Sequence, residues 1–272
     1  MGCEMMHREF TYARRLAAVL AALVLISGCS SSTPPPVATA QAGFEEGKKL
    51  FERGKWDKAR LTFESVVFNH PGSSLVDSAQ FLLAMCQYKL KDPIIAASEF
   101  QRVKTQYPTS PLIDQADLMR CVCLLEAAPG NPGLDQEQTN TAVDELKQFR
   151  DNHPISKFIP AADSLLSVAL GRLSMKDYRT GVLYYKMGRY QASRVYLQDM
   201  IDQFPKSPMV PEALFYMAEG QLESDSLKAA QDYYEKLIYL YPDHARSAKA
   251  RKRIAKIARD QALTPAVGQT PQ

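Results

Sequence analysis

Charge of one sign, histidine, tryptophan and long apolar runs are all scarce in this chain of 272 residues. The 33 Lys and Arg against 30 Asp and Glu leave a formal net charge of +3, too slight by itself to argue for a nucleic-acid partner. Only four histidines occur, His7, His70, His153 and His244, and no H-E-x-x-H, G-x-S-x-G, P-loop or G-x-G-x-x-G is present. Paired carboxylates such as Glu45-Glu46 fall where a helix begins and read as a solvated face. Nothing therefore points to catalysis or to a metal, and the chain is expected to be no enzyme and to use no cofactor beyond a covalent lipid. Five cysteines are too few for a disulfide-built mini-domain. The longest apolar run, residues 16–26, is 11 residues long and cannot cross a hydrocarbon core of about 30 Å as a helix. A hydrophobic content of 46% still supplies ample material for a core and excludes a wholly disordered chain.

What is present begins with an address. Arg8, Arg14 and Arg15 precede the apolar run, and Leu25-Ile26-Ser27-Gly28-Cys29 follows it. This layout resembles the bacterial lipobox, with small residues just ahead of the cysteine. The resemblance implies a signal peptide over residues 1–28, removed on processing, with diacylglycerol on the Cys29 thiol and an acyl chain on its new amino group. Two or three chains at about 0.8 kcal/mol per buried CH₂ make a durable anchor. Ser30 in place of Asp after the cysteine resembles cargo sent on to the outer membrane. Residues 29–42 carry three consecutive prolines and several serines, and form a Pro/Ser-rich tether.

Beyond the tether one frame recurs five times: Phe63 and Pro71, Phe100 and Pro108, Leu146 and Pro154, Leu197 and Pro205, Tyr234 and Pro242. The residue twelve before each proline is small: Ala59, Ala96, Ala142, Ser193, Ala230. Twenty-four before it stand Gly47, Ala84, Gly181 and Ala218, with Cys121 in that place once a nine-residue insertion is allowed in the third unit. Small residues at two such spacings let two helices cross closely, and the proline stops the second. Each unit is thus helix A, a turn (marked by Gly54 and Gly188 in two units), helix B and a proline. The fold class is all-α, a solenoid of five helix pairs that resembles the tetratricopeptide repeat (TPR), although the tryptophan common at that repeat's start is missing.

The prolines are spaced 37, 46, 51 and 37 residues apart. The first excess coincides with Pro129-Gly130-Asn131-Pro132-Gly133, a loop inside unit three. The second, of fourteen residues, falls between residues 161 and 187, where no proline and only isolated glycines occur. Fourteen residues make nearly four turns at 3.6 each, so helix A of unit four lengthens without rotating its face. One helix of roughly 25 residues is expected, unbroken at Gly171, joining repeats three and four. The organisation is therefore TPR-like repeats one to three over 43–160, the long helix with repeats four and five and a basic C-terminal helix over 161–259, and a flexible tail over 260–272.

Helix A of such repeats lines the inner face of the superhelix. By the repeat frame that face collects Phe44, Phe51, Phe81, Tyr88, Leu118 and Leu125, then Tyr178, Tyr185, Phe215 and Leu222. An aromatic stripe at helical spacing serves either as core or as a groove for an extended peptide. His70 and His153 occupy the place of Tyr107, Phe204 and Tyr241, which makes them helix-end packing residues. Cys86, Cys121 and Cys123 are an odd set, and a C-x-C pair on one helix splays its thiols apart, so packed thiols are expected. Seven cations, Arg246, Lys249, Arg251, Lys252, Arg253, Lys256 and Arg259, face only Asp260. The near-neutral chain is thus an acidic repeat body with a basic end, read as a capping helix or as a surface for an acidic protein or anionic lipid. Without interleaved aromatics it does not suit single-stranded nucleic acid.

Lipobox, tether, five repeats and a long fourth A helix are together similar to the BamD family, lipoproteins of the outer-membrane β-barrel assembly (Bam) machine. The local match is carried by Leu134-Asp135-Gln136-Glu137-Gln138-Thr139, by Phe149-Arg150-Asp151-Asn152-His153-Pro154, and by Tyr184-Tyr185-Lys186-Met187-Gly188-Arg189-Tyr190. The resemblance implies a periplasm-facing, lipid-anchored outer-membrane scaffold without catalysis. Its N-terminal repeats would receive unfolded outer-membrane proteins, here in a slot walled by Phe44, Phe51, Phe81 and Tyr88. Its C-terminal repeats would hold the POTRA domains of the BamA-type Omp85 insertase through Tyr184, Tyr185 and Tyr190, beside other Bam lipoproteins, with Gly188 structural. The rival class is another periplasmic repeat lipoprotein, either a Tol-linked peptidoglycan coordination factor or a pilus-secretin pilot. The first kind usually carries an N-terminal coiled coil and the second generally lacks the long helix.

Overall fold

The computed structural model describes residues 38–263, and its eleven α-helices account for most of them. The first pair is α1 (Ala40–Glu52) and α2 (Trp56–Asn69), the second α3 (Val76–Lys89) and α4 (Pro93–Gln106), the third α5 (Ile113–Ala127) and α6 (Glu137–Asn152). The fourth is α7 (Ile159–Lys186) and α8 (Tyr190–Gln203), the fifth α9 (Val210–Glu223) and α10 (Leu227–Leu240), and α11 (Ala245–Leu263) closes the series. Each helix packs chiefly on its predecessor and its successor, the arrangement of a TPR-like solenoid. The described residues belong to one compact unit with its own hydrophobic clusters, so this part of the chain holds what its folding needs.

The recurring small residues are where the helices of a pair cross. Phe63, Phe100, Leu146, Leu197 and Tyr234, eight before the prolines, are all buried, and each buried side chain contributes about 1.5–3 kcal/mol. They fill the space that the small residues of helix A leave open. A Cβ added to Gly47 would lie 2.6 Å from Phe63 Cε1, and one added to Gly181 would lie 2.5 Å from Leu197 Cδ2. Ala59, Ala84, Ala96, Cys121, Ala142, Ser193, Ala218 and Ala230 are likewise buried.

The turns inside four of the pairs repeat one backbone device. Gly54 and Gly188 take φ of +69° and +71°, and in the equivalent places Lys91 and Asp225 take +69° and +56°. In each, the next amide reaches back to close the helix, as in Lys55 N–H to Leu50 O at 2.9 Å and Asp92 N–H to Gln87 O at 3.1 Å. The left-handed residue is required by the turn, and two of the four are not glycine. At the other end of each B helix, His70, Tyr107, His153, Phe204 and Tyr241 all occupy the C-cap. His153 packs its ring on Phe149 at 4.8 Å between centroids, as expected of a helix-end residue.

A serine two residues after four of the prolines ties successive pairs together. The hydroxyls of Ser73, Ser110, Ser156 and Ser207 each accept an amide hydrogen two residues on, at 3.1–3.2 Å. Ser110 also donates to Asp77 Oδ2 at 2.6 Å, and Ser156 to Asp114 Oδ2 at 2.7 Å, reaching the first turn of the preceding A helix. Ser207 donates instead to Ser174 Oγ at 2.8 Å, and Ser174 donates on to Gly171 O. Ser174 stands seven residues before Gly181, as Asp77 does before Ala84 and Asp114 before Cys121. The ladder resumes in register after the fourteen extra residues, which shift the next docking point about 21 Å along the helix.

That helix, α7, is a single unbroken element of 28 residues that passes through Gly171. Its first half packs into the cluster of Leu118, Leu146 and Phe149 through Ala162, Ala169, Leu166 and Leu170. Arg172 Nη1 donates to Leu125 O at 2.8 Å, bracing the unit-three insertion from below. Two boundaries differ from the sequence expectation. Helix α1 begins at Ala40, inside the expected 29–42 tether, because Thr39 Oγ1 accepts the Ala42 amide at 3.1 Å and caps it. Helix α11 continues to Leu263, past the expected start of the tail at 260. Cys29 and the signal segment lie outside the described residues.

Candidate functional site

The aromatic stripe of the A helices divides by position. Three residues before the small crossing residue of pairs one, two and five, the ring turns inward onto the B helix of its own pair. Phe44 meets Phe63 edge-on at 6.0 Å, Phe81 meets Phe100 at 5.3 Å, and Phe215 meets Tyr234 at 5.8 Å. Phe81 keeps only 8% of its surface exposed, so it belongs to its hairpin core and stands behind any slot rather than facing it. Phe44 is half-buried, with the Lys48 ammonium over its ring at 5.8 Å from the centroid. Four residues after the crossing, the side chain instead points toward the next pair. Tyr88 donates its hydroxyl to Glu126 Oε1 at 3.0 Å, and the Lys89 ammonium lies 5.9 Å from its ring. Phe51, in the same register, is half-buried against the first cluster. Of the four residues of the expected slot, Phe81 is buried, while Phe44, Phe51 and Tyr88 each keep part of their surface exposed.

The three tyrosines after the long helix also separate. Tyr185 packs on Tyr190 at 5.6 Å and on Tyr216 at 5.2 Å, and Tyr216 continues to Tyr178 at 6.2 Å, which makes one wall of four rings. Tyr184 leaves this wall and stacks on Tyr196 at 4.9 Å with nearly parallel planes. A 100° step between consecutive helical residues is the reason: adjacent tyrosines of one helix cannot share a face. Burial and nearby acidic groups, Glu219 first among them, raise the Tyr185 hydroxyl above its usual value. Gly188 sits at the left-handed turn position and is structural.

Tyr216 and Tyr196 escaped the sequence reading because neither belongs to the two stripe positions. Also unanticipated is the polar core under the last repeat. Glu219 is 6% exposed in α9 and accepts the Tyr234 hydroxyl from α10. Arg253 of α11 meets the same carboxylate with both forks, Nε to Oε1 at 2.8 Å and Nη2 to Oε2 at 2.7 Å. Arg246 adds a second pair, Nη2 to Glu212 Oε2 at 2.6 Å, and lies 4.5 Å over the Phe215 ring and 5.4 Å over Tyr216. These carboxylates raise both guanidinium groups above their usual value. Two of the seven terminal cations therefore dock the last helix rather than face solvent.

The residues that carry the local match in unit three are structural. Gln136 is fully buried, donates to Pro129 O at 3.2 Å and Asn131 O at 3.3 Å, and accepts the Thr139 hydroxyl at 2.8 Å. It holds the inserted loop shut over the start of α6. Cys86, Cys121 and Cys123 are free and buried, and burial pushes each thiol up to about 12. Cys121 and Cys123 belong to different clusters, so the pair on α5 is splayed apart. Among the described residues no cluster of His, Cys, Asp and Glu could hold a metal.

Known proteins agree on the lineage. The chain is 23% identical over 235 residues to an outer membrane protein assembly factor BamD of Rickettsia prowazekii, covering 84% of this chain and 91% of that protein. It is 20% identical over 245 residues to the BamD of Xylella fastidiosa strain Temecula1, covering 84% and 82%. Among solved structures, a TPR protein of Thermus thermophilus, TTC0263, is 18% identical with a TM-score of 0.34, covering 81% of this chain and 99% of that one. The TPR2AB domain of yeast Sti1 in complex with an HSP90 peptide is 12% identical with a TM-score of 0.41, covering 82% and 85%. The profile of the YfiO family, described as outer membrane lipoprotein, matches residues 36–232. Five TPR-like pairs and a family match over most of its length place this chain in the BamD (YfiO) family, lipid-anchored, non-catalytic scaffolds of the outer membrane that face the periplasm.

Proposed function

We propose that this protein is a scaffold of the outer-membrane β-barrel assembly machinery, anchored through a lipid on Cys29, which receives unfolded barrel precursors on repeats one and two. Its repeats four and five dock the POTRA domains of a BamA-type insertase. The observation that supports it is the division of the A-helix stripe: the inward rings build the hairpins, and the outward ones are left to partners. Phe51 and Tyr88 offer aromatic surface on neighbouring pairs, and Lys89 brings a cation beside Tyr88. That chemistry suits a precursor whose last residue is aromatic and carries the terminal carboxylate. Tyr185 and Tyr190 form the rim of the C-terminal tyrosine wall, and Tyr and its like are the residues from which interface hot spots are made. Tyr184, paired with Tyr196, would contribute from the adjoining face.

The test is the affinity of residues 37–272 for a peptide ending in the C-terminal signal of a barrel protein. Replacing Phe51 and Tyr88 together by Ala is expected to weaken binding at least tenfold while the helical signal stays constant. Unchanged affinity would remove the slot.

A further inference from the structure

The docking of α11 sorts its cations into two sets. Arg246 and Arg253 turn inward to Glu212 and Glu219, and Ser247, Ala250 and Ile257 are buried beside them. Ile254 packs against the same cluster from its edge. Lys249, Lys252, Lys256 and Arg259 are exposed. At 100° per residue these four fall within an arc of about 80° on the side away from the packed face, a stripe with i, i+3, i+7, i+10 spacing. Arg251 is exposed as well but lies off that arc, and its guanidinium donates to Pro242 O at 3.1 Å. No ion pair involves Lys249, Lys252 or Lys256 among the described residues.

We propose that this stripe is a docking surface for anionic phospholipid headgroups, lying flat on a membrane without inserting. Three features on the helix favour lipid over an acidic protein. The stripe is mostly lysine, a residue depleted from protein interfaces, whose cores favour aromatic residues and arginine. Over residues 245–262 the outward face otherwise shows Ala245, Ala248 and Ala255, with Asp260 at its margin, and no exposed aromatic or large aliphatic anchor. The same lack rules out burial of an apolar face in the acyl region. A polybasic surface of this kind gains from an anionic leaflet electrostatically and within a Debye length. The family's lipid anchor supplies the remaining condition, since a lipoprotein meets a membrane surface continuously and even weak contacts act at high effective concentration.

The experiment is co-sedimentation of residues 37–272 with vesicles of phosphatidylcholine carrying 30 mol% phosphatidylglycerol, against pure phosphatidylcholine vesicles. Binding is expected only to the anionic vesicles and is expected to vanish at 0.5 M salt. Each near-surface cation is worth about fivefold in partitioning. The variant Lys249→Gln, Lys252→Gln, Lys256→Gln, Arg259→Gln should therefore bind at least about 100-fold more weakly, whereas Arg251→Gln should change little. Among the described residues the three lysines make no ion pair and Arg259 Nε donates to Ala255 O of its own helix at 3.3 Å, so thermal melting of the quadruple variant should stay close to the parent. Binding independent of lipid charge, equal binding by the quadruple variant, or an Arg251→Gln loss as large as the quadruple one would overturn the proposal. So would failure of the parent to bind anionic vesicles while it binds an acidic protein through the same residues.

Discussion

Repeats one and two close on phenylalanines, Phe44 on Phe63 and Phe81 on Phe100, with alanines and Cys86 filling between. Repeat five closes on tyrosine, and its buried hydroxyl needs a partner, which Glu219 supplies and Arg253 neutralises. The two ends of one repeat frame thus solve the same packing problem differently. An apolar seam needs only the next repeat to cover it. At the C-terminal seam a charged helix with two inward arginines covers the fifth pair and presents its other cations outward. A solenoid end must be both sealed and solvated, and here one helix does each with opposite faces.

If that contrast is right, the largest loss of stability comes from breaking the polar seam. Glu219→Ala leaves the Tyr234 hydroxyl and the Arg253 guanidinium without their shared acceptor and is expected to cost about 3 kcal/mol in urea unfolding. Next come the crossings, which should behave alike at both ends. Gly47→Ala and Gly181→Ala each push a Cβ against a buried side chain and should each cost about 2 kcal/mol. A cost confined to one of them would mean that the frame is not equivalent in the two halves. The turn residues reverse the sign. Lys91→Gly and Asp225→Gly relieve a left-handed L-residue and should each add about 0.5 kcal/mol by thermal melting, less than the full penalty because glycine also loosens the unfolded chain. The smallest effect is at the thiols. Burial raises Cys86, Cys121 and Cys123 to about 12, so at pH 8 little thiolate exists and a disulfide reagent should label them only after denaturation.

The sequence reading reached the crossings and the turns because those depend on one residue's size or φ, which a repeat displays five times over. Gly47, Ala59 and Phe63 are legible as a steric set, and the fourteen-residue excess predicted α7 because only a helix absorbs four turns without rotating. The stripe was half legible: a period of three to four residues cannot separate Phe81, which turns to its own B helix, from Tyr88, which turns to Glu126 of the next pair. Glu219, Arg253 and Tyr234 could not be joined from sequence, since three helices bring them together and no repeat copies the arrangement. The place of Ser174 was within reach: Ser207 meets Ser174 across the same 33 residues that separate Ser110 from Asp77, but only once the first pair is known to be a contact.

The most direct test crosses the two surfaces with the two partners. Phe51→Ala with Tyr88→Ala, and separately Tyr185→Ala with Tyr190→Ala, would each be measured for precursor-peptide affinity and for co-purification with the Omp85-type insertase from detergent-solubilised envelope. The account predicts that the first pair weakens peptide binding at least tenfold and leaves the insertase bound, and that the second pair does the reverse. Loss of both readouts from either pair in a protein that still melts normally, or of neither, would contradict a scaffold with two separate partner surfaces.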